Sequence, residues 1–310
     1  MKVGVFLPIS GRAASSVLME AARSAEALGY ASVWAADRIV TPWHIETPYP
    51  YSADQRFIVP PDVPFLEPLG CLAYLAGGTE QIALGMSVLV LPYRHPLYWA
   101  KMATTIDHLS RGRLILGVGV GWMAEEFDAL GANFKERGAV ADEQLEIVSR
   151  LCGEDKPSFE GRYYRFHEVG FSPKPIQRPR LPIWVGGEGP RAQRRAARYG
   201  DAWFPYFVRI TPRELAARFD NVRQGAREAG RDPELIRLAC CLPIELTPGP
   251  VPQEEDRLRG SPEQLAVALQ AYGQIGVEHI ALQFMVPRWP ERRAQIERFA
   301  EDVMPALHSR

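Results

Sequence analysis

From Gln81 to Gly131 a strand pattern, a proline turn, a helix pattern and a second strand pattern follow one another, and few folds accommodate that order. Gln81–Leu91 is almost wholly apolar or small, as expected of a strand covered on both faces in a parallel sheet. Pro92 ends it. From Pro96 the spacing lengthens: Ala100, Met102, Ala103, Ile106 and Leu109 mark the apolar face of an amphipathic helix with proline in its first turn. Gly112 closes that helix. Arg113–Gly121 is apolar again and ends in alternating glycines, which let a ligand approach the backbone. Strand, helix and strand in this order form a parallel βαβ unit, whose ligand edge is the carboxyl end of its strands.

The same alternation runs through the chain. Strands are expected at Val3–Pro8, Ser32–Asp37, Gln81–Leu91, Arg113–Gly121, Pro182–Gly187, Asp201–Pro205, within Leu235–Leu246, and at Val277–Phe284, with helices between them. Thr211-Pro and Ser261-Pro-Glu are sound helix starts. Eight strands alternating with eight helices predict an α/β fold, a (β/α)8 TIM barrel, and 310 residues fit one domain of this type. Two stretches depart from the repeat. The loop after strand two runs to Pro68 and carries Trp43, His44, Tyr49, Tyr51 and Phe57, which reads as a lid or pocket wall. Residues 159–182 combine aromatics with prolines that resist helix and central strand, and are expected to form an extended insertion over the barrel.

A formal net charge of −1 with scattered basic residues gives no nucleic-acid footprint and no polybasic membrane anchor, so a small-molecule substrate is the default expectation. The opening Met1–Ile9 precedes no cleavage pattern or apolar span, and a cytoplasmic protein without a membrane helix is expected. Cys71, Cys152, Cys240 and Cys241 form no CxxC pair and have no histidines at ligand spacing; buried reduced thiols, and no metal site, are expected.

In a barrel of this kind the chemistry sits just after each strand. Asp37 is a charge where an apolar strand opens into a loop, readable as a ligand contact, a helix cap or an ion pair. Trp184–Pro190 (WVGGEGP) sets three glycines between a strand and a helix start, either a tight turn or a phosphate cradle using main-chain N–H groups and the helix dipole. His44, Tyr93, His95 and Tyr206 are titratable groups near strand ends with no partner visible in sequence.

Taken together, VGVFLP, SVWAAD, GMSVLVLPYRHP, LSRGRLILGVGVGW followed by Glu126-Phe127, Phe159-x-Gly-x-Tyr-Tyr and PIWVGG resemble the bacterial luciferase-like flavin and deazaflavin oxidoreductases over essentially the whole chain. The SVLVLPYRHP and GVGVGW variants resemble the branch that uses the deazaflavin coenzyme F420 rather than FMN. The resemblance implies a cofactor site made of Asp37, a non-proline cis peptide at Ser87-Val88, Gly119 and Gly121 leaving room for ring and tail, and Gly186, Gly187, Glu188 and Gly189 at the phosphate. It also implies a homodimer. In the sugar-phosphate dehydrogenase branch a histidine and a glutamate stand where this chain has Arg38 and Trp122. An always-charged guanidinium and an indole cannot replace groups of tuned pKa, so that reaction is disfavoured. Arg38, Trp43, His44, Trp122 and Tyr206 are left as substrate-pocket candidates. The reading is an F420-dependent oxidoreductase that exchanges hydride with an uncharged, partly apolar small molecule. The alternatives are an FMN-dependent monooxygenase using reduced flavin and O2, and a non-catalytic F420 or flavin carrier.

Overall fold

The computed structural model describes residues 1–11, 14–206, 210–252 and 258–308. Eight parallel strands close into a ring: β1 (Lys2–Phe6), β2 (Ser32–Ala35), β3 (Ala83–Met86), β4 (Leu114–Gly119), β5 (Ile183–Val185), β6 (Ala202–Trp203), β7 (Arg237–Leu246) and β8 (Val277–Phe284). Closure is made by β8 pairing with β1, Lys2 opposite His279, and by β6 pairing with β7, Ala202 opposite Arg237. Among the described residues, eight longer helices surround the ring: α1 (Ala14–Ala27), α2 (Pro68–Ala76), α3 (Pro96–Leu109), α4 (Arg137–Gly153), α5 (Pro190–Tyr199), α6 (Pro212–Glu228), α7 (Pro262–Gln274) and α8 (Trp289–Asp302). The expected (β/α)8 barrel is therefore present. The Thr211 and Ser261 starts form capping boxes with Glu214 and Gln264.

One expected strand is shorter than its apolar pattern. The run Gln81–Leu91 breaks after Met86 at the cis Ser87–Val88 peptide, resumes as Leu89–Val90 beside β4, and turns at Leu91–Tyr93. Apolar content alone cannot signal such a break, because residues on both sides of it stay buried. The expected 159–182 insertion is present. It holds a two-stranded hairpin, Phe159–Glu160 with Arg165–Phe166, and is hydrogen-bonded to α3 and α4. Asp107 on α3 accepts from Ile176 N (2.6 Å) and Gln177 Nε2 (2.8 Å), and Glu143 on α4 accepts from Arg162 N (2.7 Å) and Tyr163 N (3.0 Å).

Two cores result. The larger lies between strands and helices; the smaller fills the ring with Phe6, Trp34, Trp184, Phe204, Ala239, Cys241 and Ala281. Trp34 fits inside because the flanking strands carry glycine. A Cβ on Gly85 would lie 2.3 Å from the Trp34 ring, and one on Gly4 would lie 2.4 Å from its Nε1. That indole donates to Ser32 Oγ at 2.7 Å, and Ser32 Oγ in turn meets His279 Nε2 at 2.7 Å. All four cysteines are buried and unbridged. No described helix is long and apolar enough to cross a membrane.

The long loop after β2 is pinned at both ends by one residue. Arg94 donates to Asp37 at 2.7 and 2.9 Å and to Glu67 at 2.9 Å, so residues near the two ends of the loop share a guanidinium. Asp37 also accepts Val90 N at 2.8 Å. Gln144, fully buried, holds the Arg94 carbonyl at 3.1 Å while bonding Trp99 Nε1 and Tyr164.

Burial first, and Lys2 second, push the His279 imidazole down from 6.5 to about 3. A histidine depressed in the folded state binds its proton more readily when unfolded. Its contribution is therefore complete above pH 6.5 and is lost as pH falls toward 3, by up to about 5 kcal/mol. Denaturant titrations across that window should show His279→Gln with a flatter pH dependence than the wild type. The loop clamp makes a second expectation. Arg94→Ala strands the fully buried Asp37 carboxylate and should cost roughly 3–5 kcal/mol. Glu67→Gln, at a half-exposed partner, should cost about 0–1 kcal/mol. Equal losses from the two variants would refute the assignment of the clamp to the Asp37 arm.

Candidate active site

The carboxyl ends of the strands bring most of the expected residues to one rim: Asp37 after β2, Ser87 and Val88 after β3, Gly119 and Gly121 at the end of β4, Gly186–Gly189 after β5 and Tyr206 after β6. Asp37 points sideways into the rim, with both carboxylate oxygens held by Arg94 and Val90 N. Of the readings open to it, the ion pair is the one the structure shows.

Val88 stands at the centre. A Cβ on Gly119 would lie 2.4 Å from its Cγ2, and a Cβ on Gly186 would lie 2.8 Å from its Cγ1, so both glycines make room for this side chain. Ser87 Oγ is buried and has no hydrogen-bond partner. At the next loop Gly187 has φ +97°, outside the range comfortable for side chains, and its carbonyl accepts Trp203 Nε1 at 2.9 Å. Gly189 is the N-cap of α5 and has no side-chain cap bond. Gly186 differs from expectation as a phosphate donor: its N–H bonds Val118 O at 2.8 Å and belongs to the sheet. Glu188 carries a carboxylate 3.3 Å from Arg218 and a carbonyl bonded by Gln193. Beside this loop Arg137 donates to Gly121 O at 3.2 Å, and Arg191 lies near enough to oppose its charge. Burial and that like charge lower the Arg137 pKa. These residues suit a flat redox ring with a phosphorylated tail. Val88 offers an aliphatic face, Ser87 an unpartnered hydroxyl, and the loop before α5 main-chain N–H groups at a helix N-terminus between two arginines.

On the other side of the rim lies a network that sequence reasoning missed. Glu126, in the short helix Ala124–Ala129, is fully buried and pairs with Arg38. It also accepts Tyr93 Oη at 2.8 Å, Ile39 N at 2.8 Å and Val40 N at 3.2 Å. Burial first, then the Glu126 carboxylate, push the Tyr93 phenol far up, so it serves as a donor. Glu125 next door accepts Glu46 N and Thr47 N, at 2.8 and 2.9 Å, tying the lid to the same helix. The sequence offered Glu126 only within a family motif, and Arg38 and Tyr93 singly, with nothing local to pair them.

The lid supplies aromatic walls. Tyr49 packs on Tyr51, Phe57 and Trp122 with centroids 4.9–5.4 Å apart, and Tyr51 packs on Tyr206 at 4.8 Å. Burial, then Glu188 and Cys241, push the Tyr51 phenol up to about 12, and burial raises the Tyr206 phenol well above its ordinary value, so both phenols stay protonated near neutrality. Tyr206 Oη meets Gln283 Oε1 at 3.1 Å. Arg38, Trp122 and Tyr206 thus join one continuous surface. Trp43 and His44 do not: both are exposed, Trp43 at 75 %, on the outer side of the lid. Trp43 instead lines a cleft of about 440 Å³ within the lid, between residues 42–48 and 55–61. His95 caps α3 and packs edge-on against Tyr164.

Comparison with known proteins bears on this geometry. An uncharacterized protein of Mycobacterium tuberculosis is 35% identical over 210 residues, covering 68% of this chain and 71% of that protein. The phthiodiolone/phenolphthiodiolone dimycocerosates ketoreductase of the same organism is 31% identical over 264 residues, covering 83% of this chain and 68% of that enzyme. An F420-dependent secondary alcohol dehydrogenase solved with an F420-acetone adduct superposes with a TM-score of 0.80 at 19% identity, over 99% of each chain, which speaks for the shared fold. The profile of the luciferase-like monooxygenases matches residues 1–256, and the chain belongs to that family.

Proposed function

We propose that this protein is an F420-dependent oxidoreductase that exchanges hydride with a small, partly apolar organic molecule. The observation that carries the reading is the pair Arg137 and Arg191 beside Gly121 and the Gly187–Gly189 loop. Arg191, in the first turn of α5, lies near enough to Arg137 to oppose its charge, and two such cations favour a tail with several negative charges, which a deazaflavin coenzyme has beyond its phosphate and FMN lacks. The 31% identity to a ketoreductase supports a carbonyl and alcohol couple as the reaction class. When bound, the deazaflavin supplies the carbon that carries the two-electron hydride. The chain's residues position and shield. Val88 and Ser87 face the ring, the arginines and the loop before α5 take the tail, and the Tyr49–Tyr51–Phe57 lid excludes water. Tyr51 and Tyr206 stay protonated near neutrality, and Tyr206 donates to Gln283 Oε1, so neither adds charge at the mouth. An FMN-dependent monooxygenase is the second reading, favoured by the name of the matching family.

Fluorescence titration tests this directly. F420 should bind with micromolar or better affinity and more tightly than FMN, and the preference should fall as salt rises. The double variant Arg137→Ala/Arg191→Ala should weaken F420 by about tenfold or more and FMN by much less. FMN binding without F420 binding would overturn the proposal, and oxygen uptake with a supplied flavin reductase would then support the monooxygenase.

A further inference from the structure

The Arg38 guanidinium is 7 % exposed and is held on three sides. Its Nη1 donates to Glu126 and to Met123 Sδ at 3.4 Å, while the rings of Phe57 and Trp122 lie 4.9 and 5.5 Å from its Cζ. Its Nε, also buried, has no hydrogen-bond partner. A buried donor without an acceptor is unfavourable and calls for explanation. The arginine's charge is already balanced by Glu126, fully buried and itself bonded by Tyr93 and two main-chain N–H groups. What the pair offers a ligand is therefore one directed N–H in surroundings of no net charge.

We propose that Arg38 Nε–H is the substrate-recognising donor, and that it takes the oxygen of an uncharged carbonyl compound bearing a flat apolar group. A carboxylate would meet the Glu126 charge with no cation left to offset it, and an ammonium would face Arg38 itself. A carbonyl oxygen satisfies the N–H without adding charge. Trp122, on the rim beside the guanidinium, forms the wall for the flat group, and Phe57 covers both while the lid is down. Phe57 belongs to the lid and Arg38 to the rim, so displacement of the lid uncovers the donor. The assignment names the substrate class for the oxidoreductase proposed above and rests on that reading only for the fate of the bound carbonyl.

Three probes of similar shape separate the possibilities: acetophenone, ethylbenzene, which lacks the oxygen, and benzoate, which is an anion. Their dissociation constants are measured on the full chain by ligand-observed NMR, with F420 quenching recorded on the same samples. Acetophenone should bind at least tenfold more tightly than ethylbenzene and more tightly than benzoate. Arg38→Met should bring acetophenone and ethylbenzene within about twofold of each other while F420 quenching is unchanged. Because that variant strands Glu126, Arg38→Met/Glu126→Gln provides the same comparison without an unpaired buried charge. Equal affinities in the wild type, including failure of both probes to bind, a preference for benzoate, or a ketone preference surviving in both variants would each overturn the assignment. Loss of F420 binding with the ketone preference intact would instead count against the cofactor reading alone.

Discussion

One buried guanidinium decides how the mouth of this barrel is covered. Arg94 joins Asp37, at the end of β2, to Glu67, at the start of α2, and everything between them is the lid. The Asp37 carboxylate is fully buried, so its charge is tolerable only with the bidentate arginine and Val90 N in place. Gln144 fixes the Arg94 main chain from α4, which makes the clamp part of the helical shell and not a loop detail. A thirty-residue excursion with no helix of its own is thereby closed as a short loop would be, and its entropy cost is borne by a few strong contacts.

Charge balance is the second theme of the rim. Each buried carboxylate there has its own cation, Asp37 with Arg94 and Glu126 with Arg38, and the nearby phenols stay neutral. The two sides of the mouth differ as a result. On the glycine-loop side Arg137 and Arg191 leave excess positive charge, suited to an anionic tail. On the lid side the charge is cancelled, suited to an uncharged substrate between aromatic walls. Such local differences matter because the fold alone does not choose the reaction.

Inside the ring, space is allotted by glycine. Gly4 and Gly85 admit the Trp34 indole, and Gly119 and Gly186 admit Val88, so side chains too large for a narrow barrel sit where neighbouring strands give up theirs. The Ser32–Trp34–His279 chain satisfies polar groups in that dry interior.

The sequence by itself determined the architecture, because strand and helix periods, helix caps and closing glycines are local signals that repeat eight times around a parallel barrel. It also placed Ser87, Val88, Gly119, Gly121 and Gly187–Gly189 at the rim, since a residue just after an apolar run lies at a strand end wherever the run is. Only the tertiary structure decided the rest. Asp37 and Arg94 are 57 residues apart, and Arg38 and Glu126 are 88 apart, so no local pattern could pair them. Trp43 and His44 looked like pocket residues because the loop's composition is aromatic, but which face of an irregular loop turns inward depends on the contacts of Glu125 and Glu126, made across the fold. The partners of the 159–182 insertion, Asp107 and Glu143, were hidden for the same reason: hydrophobicity reports that a segment is buried, and only packing determines what it is buried against.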